Sequence, residues 1–163
     1  MKIEREIGVL LTRLGLTLAV AESCTGGLIS HRITNVPGSS NYFERGLVTY
    51  SNRAKTEILG IEPELIWQHG AVSEPVARGM AIGARRAAGT DFGVGVTGIA
   101  GPVSDDSKKP VGLVYIAVCG PDGSVRVKRH NFKGTRLQIK RSSAEAALGL
   151  LLAAAQREME RRK

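Results

Sequence analysis

The sequence predicts a single α/β domain over residues 1–163: three layers, with helices on both faces of a mixed, mostly parallel β-sheet. Three observations predict it. Short apolar runs alternate with amphipathic stretches through the first two thirds of the chain, the pattern of parallel strands joined by helices. Pro121-Asp122-Gly123-Ser124 then joins two later runs as a hairpin, which adds antiparallel pairing. The length, 163 residues, is about one domain and buries a core without disulfide or metal staples. No repeat, linker or low-complexity segment divides it.

Ile3, Ile7, Leu10, Leu11 and Leu14 recur at helical spacing, and Gly15 ends that helix. Residues 16–21 are apolar enough for a strand buried on both faces. Glu22-Ser23-Cys24-Thr25 and two glycines then lead into a second helix over 25–35. Pro37-Gly38-Ser39-Ser40-Asn41 is a turn-rich loop; its N–H and hydroxyl groups can bind phosphate or serve only as a loop. Residues 43–50 read as a strand in which Gly46 marks a bulge or a close backbone approach. Ser51 or Asn52 caps a helix over 53–59, and a short helix over 62–69 carries the only tryptophan, Trp67. Ser73 as cap and Pro75 in the first turn open a helix over 76–88.

Residues 91–97 form a strand packed tightly through Gly93 and Gly95, and 98–102 turn the chain. A polar connection over 103–109 is expected to be mobile. Strands 111–119 and 125–132 pair, with Arg126, Lys128 and His130 on one face by the period of two. The last helix spans 135–160. Its 144–155 part is nearly all apolar, so it is either buried between the sheet and another helix or used for self-association.

The net charge of +8 suits an anionic partner, a phosphorylated metabolite or nucleic acid. Arg126, Lys128, Arg129, Lys133, Arg136, Lys140 and Arg141 fall in one stretch with no acid among them. Aromatics, however, make up only 4%, too few for base-stacking platforms, and no helix-turn-helix, zinc or RNA-binding pattern occurs. A solvated basic face is the plainer reading, and no nucleic-acid partner is expected. Cys24 and Cys119 give neither a disulfide framework nor zinc spacing, and no metal or other cofactor is expected. The first fifteen residues are a charged amphipathic pattern rather than a secretory signal. The apolar run at 150–155 is too short to span a bilayer. These features predict a soluble cytoplasmic protein that does not bind a membrane.

Polar residues collect at three strand ends: Glu22-Ser23-Cys24-Thr25, Thr49-Tyr50-Ser51-Asn52 and Thr97-Gly98. Ligands of α/β sheets gather outside the carboxyl ends of strands. If the first two strands are parallel neighbours, Ser23 and Tyr50 meet, and Lys55, five residues on, reaches back to the same crevice. A serine hydroxyl needs a base before it attacks a carbonyl. A lysine serves if burial or a nearby cation lowers its pKa toward neutrality, and a tyrosine can relay the proton. The helix start after Cys24-Thr25-Gly26-Gly27 offers backbone donors for an anion or an oxyanion; the plainer alternative is an N-cap before an ordinary helix. Of the histidines, His31 falls within a helix, His69 at a helix end and His130 on an exposed strand face, so none is placed for catalysis.

Six motifs occur in order: AESCTGG (21–27), PGSS (37–40), F-x-R-G-x-V-T-Y-S-N-x-x-K (43–55), GAVSEPVA (70–77), GIAGP (98–102) and KPVG (109–112). Together they closely resemble the C-terminal domain family of the competence/damage-inducible protein CinA, over residues 5–155. That family includes stand-alone nicotinamide-nucleotide amidohydrolases. The resemblance implies hydrolysis of the carboxamide of nicotinamide mononucleotide to nicotinate mononucleotide and ammonia, by a serine nucleophile with lysine and tyrosine partners and no metal. It places the serine on Ser23, the tyrosine on Tyr50, the lysine on Lys55 and a small site residue on Thr97. A functional arginine before or in the last helix falls on Arg136 or Arg141. Cys24, Thr25, Gly26, Gly38, Ser39 and Ser40 are the further candidates for holding substrate. The alternative is a non-catalytic nucleotide-binding protein of the same fold.

The chain departs from the family pattern in three places. VSDDSK (103–108) replaces a usually glycine-rich loop, Thr135 replaces an acid, and Lys140 stands where arginine is more frequent. Many members carry a large N-terminal domain, and at this length none is expected here. A homo-oligomer, dimer or higher, is expected from the apolar last helix.

Overall fold

The computed structural model describes residues 3–163. Its elements are α1 (Ile3–Leu14), β1 (Leu18–Glu22), α2 (Leu28–Thr34), a 3-10 turn at Ser39–Asn41, β2 (Phe43–Val48), α3 (Asn52–Leu59), α4 (Pro63–His69), α5 (Glu74–Ala88), β3 (Phe92–Gly98), β4 (Leu113–Cys119), β5 (Val125–Asn131) and α6 (Arg136–Arg161). The strands lie in the order β2-β1-β3-β4-β5. β1 runs parallel to both β2 and β3, and β4 runs antiparallel to both β3 and β5. The expected mixed sheet is therefore present, with the hairpin at one edge.

Alternation along the strands divides the core between two helical layers. Leu18 and Val20 of β1 join Val94, Val96, Ile116 and Val118 beneath α1, α2 and α6. Ala19 and Ala21 turn the other way, toward Leu59, Met80 and Ala84 of α3 and α5. β1 is buried along its whole length, as a strand covered on both faces must be. On the second face the small residues set the spacing. A Cβ on Gly95 would stand 2.6 Å from the Ala77 carbonyl oxygen and the Ala81 nitrogen. Glycine there lets α5 lie directly on β3.

The apolar stretch of α6 packs against β3, β4 and α1, with Ala144, Ala147, Leu148, Leu151 and Ala155 buried. Burial within the chain accounts for that stretch without a second copy. Thr135, where the family pattern has an acid, caps this helix: its hydroxyl accepts from Gln138 N and Gln138 Oε1 accepts from Thr135 N.

Several boundaries differ from expectation, each for a local reason. α2 starts at Leu28 rather than at 25, because Gly26 (φ 59) and Gly27 (φ 99) are left-handed. β2 ends at Val48, so Tyr50 lies beyond the strand, on the way to α3, where Ser51 rather than Asn52 is the cap. The register shift in β2 falls beside Leu18 and Ala19, not at Gly46. Gly46 marks the other expected feature, a close approach, by Ser30 of α2. Ser73 sits at the start of α5, yet its hydroxyl donates to the Gly70 carbonyl instead of capping the helix. No helix among the described residues is long and apolar enough to cross a membrane.

Candidate active site

The carboxyl ends of β1, β2 and β3 open on one side of the sheet, and a cleft of about 280 Å³ lies there. Ser23, the residue after β1, lines it, with its amide bonded to the Val96 carbonyl of β3 at 3.0 Å. Thr49 N donates to the Glu22 carbonyl at 2.9 Å, which carries the pairing of β1 with β2 one residue past the strand. Ser51 then accepts from Ala54 N and starts α3. Lys55 is thereby directed back under the strand ends. Its side chain is only 1% exposed.

The Lys55 amine makes three close contacts. Nζ lies 3.0 Å from Ser23 Oγ, 2.9 Å from the Thr49 carbonyl oxygen and 3.5 Å from the Tyr50 carbonyl oxygen. Among the described residues no carboxylate compensates its charge, and burial lowers its pKa to about 8. A neutral amine keeps two N–H donors, which the two carbonyls can accept. The remaining lone pair is then free for the Ser23 hydroxyl. Such an arrangement can serve a serine nucleophile with a lysine base.

Cys24 is the neighbouring candidate nucleophile. It is 5% exposed, and burial pushes its thiol up to about 12, away from the reactive thiolate. It lies against Gly98, where a Cβ would stand 3.1 Å from its sulfur. Thr97 is buried, lines the cleft, and donates to the Ala71 carbonyl at 2.8 Å.

Tyr50 lines the same cleft with its ring 60% exposed. Its phenol accepts from Arg136 Nη2 at 2.9 Å. Arg136, the first residue of α6, also donates through Nη1 to the Gly101 carbonyl at 2.6 Å. The structure therefore brings the hydroxyl of Ser23 and the amine of Lys55 together, and pairs the Tyr50 phenol with Arg136 instead. Of the two arginine candidates only Arg136 lines the cleft. Arg141 lines a shallow depression beside α1 and α2.

The remaining candidates divide. Thr25 is buried outside the cleft lining, and Gly26 lies on the same loop, where Lys140 Nζ comes within 3.4 Å of the place its Cβ would take. Gly38, Ser39 and Ser40 precede β2, whereas the cleft lies beyond its far end. At ~3.3 Å per residue the strand separates them from Ser23 by roughly 20 Å within this chain, so as phosphate ligands in the same subunit they are misplaced. Parallel pairing made that outcome geometric: a loop before β2 and a loop after β1 lie at opposite ends of the sheet. His31, His69 and His130 are absent from the cleft lining.

Glu22 is a residue that sequence reasoning passed over. It is fully buried at the end of β1 and accepts from Ile29 N (2.9 Å), Ser30 N (3.0 Å) and Ser30 Oγ (2.7 Å). The first free amides of α2 are thus taken by a carboxylate from the strand. The expected anion site at this helix start is occupied by the protein itself. Among the described residues the amides of Cys24, Thr25 and Gly27 find no backbone carbonyl. An acid closing a wholly apolar strand was the available signal.

Comparison with known proteins shows the family and the fold. The family model of the CinA C-terminal domain matches residues 1–155. A CinA-like protein of Geobacter sp. strain M21 is 53% identical over 150 residues, covering 92% of this chain and 36% of that protein. A CinA-like protein of Syntrophobacter fumaroxidans is 50% identical over 149 residues, covering 91% of this chain and 35% of its own length. The chain thus spans about a third of the length of these curated relatives. The crystal structure of the competence/damage inducible protein CihA from Agrobacterium tumefaciens superposes with a TM-score of 0.91 at 41% identity, covering 94% of this chain and 93% of that one. That of a competence or damage-inducible protein from Enterobacter asburiae gives 0.92 at 32% identity, over 94% and 96%.

Proposed function

This chain belongs to the CinA C-terminal domain family, and we propose that it is an amidohydrolase that converts nicotinamide mononucleotide to nicotinate mononucleotide and ammonia. The observation that carries the reading is the buried Lys55 amine 3.0 Å from Ser23 Oγ. A lysine with no counter-charge, lowered to about 8, is costly to keep unless its neutral form is used.

In this mechanism neutral Lys55 takes the proton of Ser23 as Oγ bonds to the carboxamide carbon. The carbonyl π pair moves onto oxygen. In this reading the Cys24 amide, next to the nucleophile and without a backbone acceptor among the described residues, donates to that oxyanion. Protonated Lys55 then gives its proton to the amide nitrogen as the C–N bond breaks, and ammonia leaves an acyl-Ser23 ester. Water, losing one proton to Lys55, attacks the ester; Lys55 returns that proton to Ser23 Oγ as the C–O bond breaks, and the carboxylic acid leaves and gives its own proton to the released ammonia. Arg136, with Lys140 over Gly26, supplies positive charge for the substrate's phosphate, and the Tyr50 phenol borders the substrate beside Arg136.

Ammonia release from nicotinamide mononucleotide by the purified protein tests the reading. A protein that binds the nucleotide and releases no ammonia over hours is instead a nucleotide-binding module, the alternative the family fold leaves open.

A further inference from the structure

One group in the cleft lining has no part in the reaction above. Besides Lys55, the lining holds two side chains of opposite charge, Arg136 and Asp105. Arg136 is oriented by its bonds to Tyr50 and Gly101. Asp105 comes from the connection between β3 and β4, and that connection is tied down where it passes the cleft. Ser104 Oγ donates to the Lys109 carbonyl. Lys109 Nζ donates to the carbonyls of His69 (2.8 Å) and Val72 (2.5 Å), and Val72 itself lines the cleft. Asp105 Oδ1 accepts from Ser107 N at 2.9 Å and from Ser107 Oγ, an Asx-type turn that holds the carboxylate in place. Oδ2 is left for something else.

A carboxylate accepts hydrogen bonds and donates none. It favours ligand hydroxyl or N–H groups and repels ligand anions. The cleft is also small: about 280 Å³, below the usual ~300–1,000 Å³ of a pocket that encloses its ligand. With a carboxamide at Ser23, a substrate's further parts must lie along the outer lining. For a nicotinamide nucleoside the flat pyridine ring comes next and then the sugar, whose vicinal diol offers two O–H donors. The phosphate beyond it offers only negative charge.

We propose that Asp105 is a specificity-determining residue that accepts hydrogen bonds from the ribose hydroxyls of the substrate. It favours the sugar and offsets part of the attraction that Arg136 exerts on the 5′-phosphate. The proposal rests on the amidohydrolase reading for the kind of substrate, but not on Ser23 or Lys55 chemistry.

The test is binding, measured in a Ser23→Ala background so that no turnover intervenes. Nicotinamide, its riboside and its mononucleotide are titrated calorimetrically against that protein and against the same protein with Asp105→Asn or Asp106→Asn. Asparagine keeps an oxygen for Ser107. Asp106, on the same strap but not in the lining, controls for the loss of one negative charge. Asp105→Asn is expected to weaken the riboside roughly tenfold, the size of one charge-assisted hydrogen bond, to leave nicotinamide unchanged, and to weaken the mononucleotide less than the riboside or tighten it. Asp106→Asn is expected to change none of these ratios. Unchanged riboside affinity in Asp105→Asn, equal effects of both variants, or no riboside binding in the Ser23→Ala background overturns the proposal. Asp105-dependent binding with no ammonia release by the wild type overturns the amidohydrolase reading alone.

Discussion

Lys55 and Ser23 stand 32 residues apart in the chain and 3.0 Å apart in the fold. Two features close that gap. β1 and β2 are parallel neighbours, so their carboxyl ends lie side by side. α3 begins four residues after β2 ends, and its first turn carries Lys55 back beneath those ends. The same burial that brings the amine to the hydroxyl removes it from water, so position and reactivity have one cause.

The first consequence is a pH profile. With Lys55 lowered to about 8, the base form is the minority species at neutral pH. Since activity follows the deprotonated amine, kcat/KM is expected to rise about tenfold per pH unit below 8 and to level off above it. Lys55→Arg puts a group that stays protonated in its place and is expected to cost ~10²–10⁴ in rate. A profile flat from pH 6 to 9 removes Lys55 as the base.

The second is a stability linkage with the opposite sign from that of a salt-bridged lysine. Here the folded-state pKa, about 8, lies below the unfolded value of 10.5. Below pH 8 both states hold the proton and the native state bears the full cost of a buried charge. Between 8 and 10.5 the native state has released the proton while the unfolded chain still binds it, so stability rises with pH. Relative to Lys55→Met, which has no such proton, the wild type should gain about 2–3 kcal/mol between pH 7 and pH 10. Urea melts of both proteins at the two pH values measure it. A difference that shrinks or stays constant contradicts the burial argument.

Ser23 and Cys24 are separated by a third measurement. Ser23→Ala is expected to abolish ammonia release, with a loss of at least ~10³, while nucleotide binding persists. Cys24→Ser is expected to be nearly silent, because the native thiol is held up to about 12 and takes no part as a thiolate. Thiol alkylation kinetics of the wild type should accordingly be slow at pH 8. If Cys24→Ser is the inactive variant, the nucleophile has been misassigned.

How much of this was legible beforehand follows from which information is local. The αβ alternation, the hairpin at 121–124 and the paired motifs at Ser23 and Lys55 are local patterns joined by one topological rule, that parallel strands share an end. They agree with the fold. The sequence puts Tyr50 at the cleft, but the bond from Arg136 to its phenol is not legible there, because that arginine lies 86 residues on and in another layer. The 38–40 loop was placed by composition alone, which says nothing about the end of the sheet on which a loop emerges. The anion site at α2 failed for a different reason: a helix start advertises free amides in sequence, whereas Glu22 consumes them only once the strand and helix have docked.

That role of Glu22 carries a fourth expectation. Glu22→Ala leaves the Ile29 and Ser30 amides without their acceptor in a buried place and should cost on the order of 2–4 kcal/mol in urea unfolding. Gly46→Ala should weaken the same tie from the other side. Its Cβ would stand 2.8 Å from Ser30 Cβ, displacing the hydroxyl that bonds Glu22. Because the tie spans residues 22–30, both variants should also lower kcat by loosening the Ser23 loop. If they unfold the protein no more easily than the wild type, Glu22 is not what anchors that loop.

Arg136 and Arg141, which sequence reasoning left as equals, are distinguished by the fold. Five residues along α6 turn the second arginine toward α1 and α2, whereas the first reaches Tyr50 and Gly101 at the cleft. Arg136→Ala should reduce kcat/KM for the nucleotide by ~10–100-fold, since it removes both the positive charge and the partner that fixes the phenol. Arg136→Lys should recover little of that, because a single ammonium cannot bridge two acceptors with the geometry of a planar fork. Arg141→Ala, at an exposed site outside the cleft, should leave kcat/KM within about twofold. Equal losses in both alanine variants would mean that the phosphate is held across the helix rather than at its first turn, and that the cleft mouth lies elsewhere.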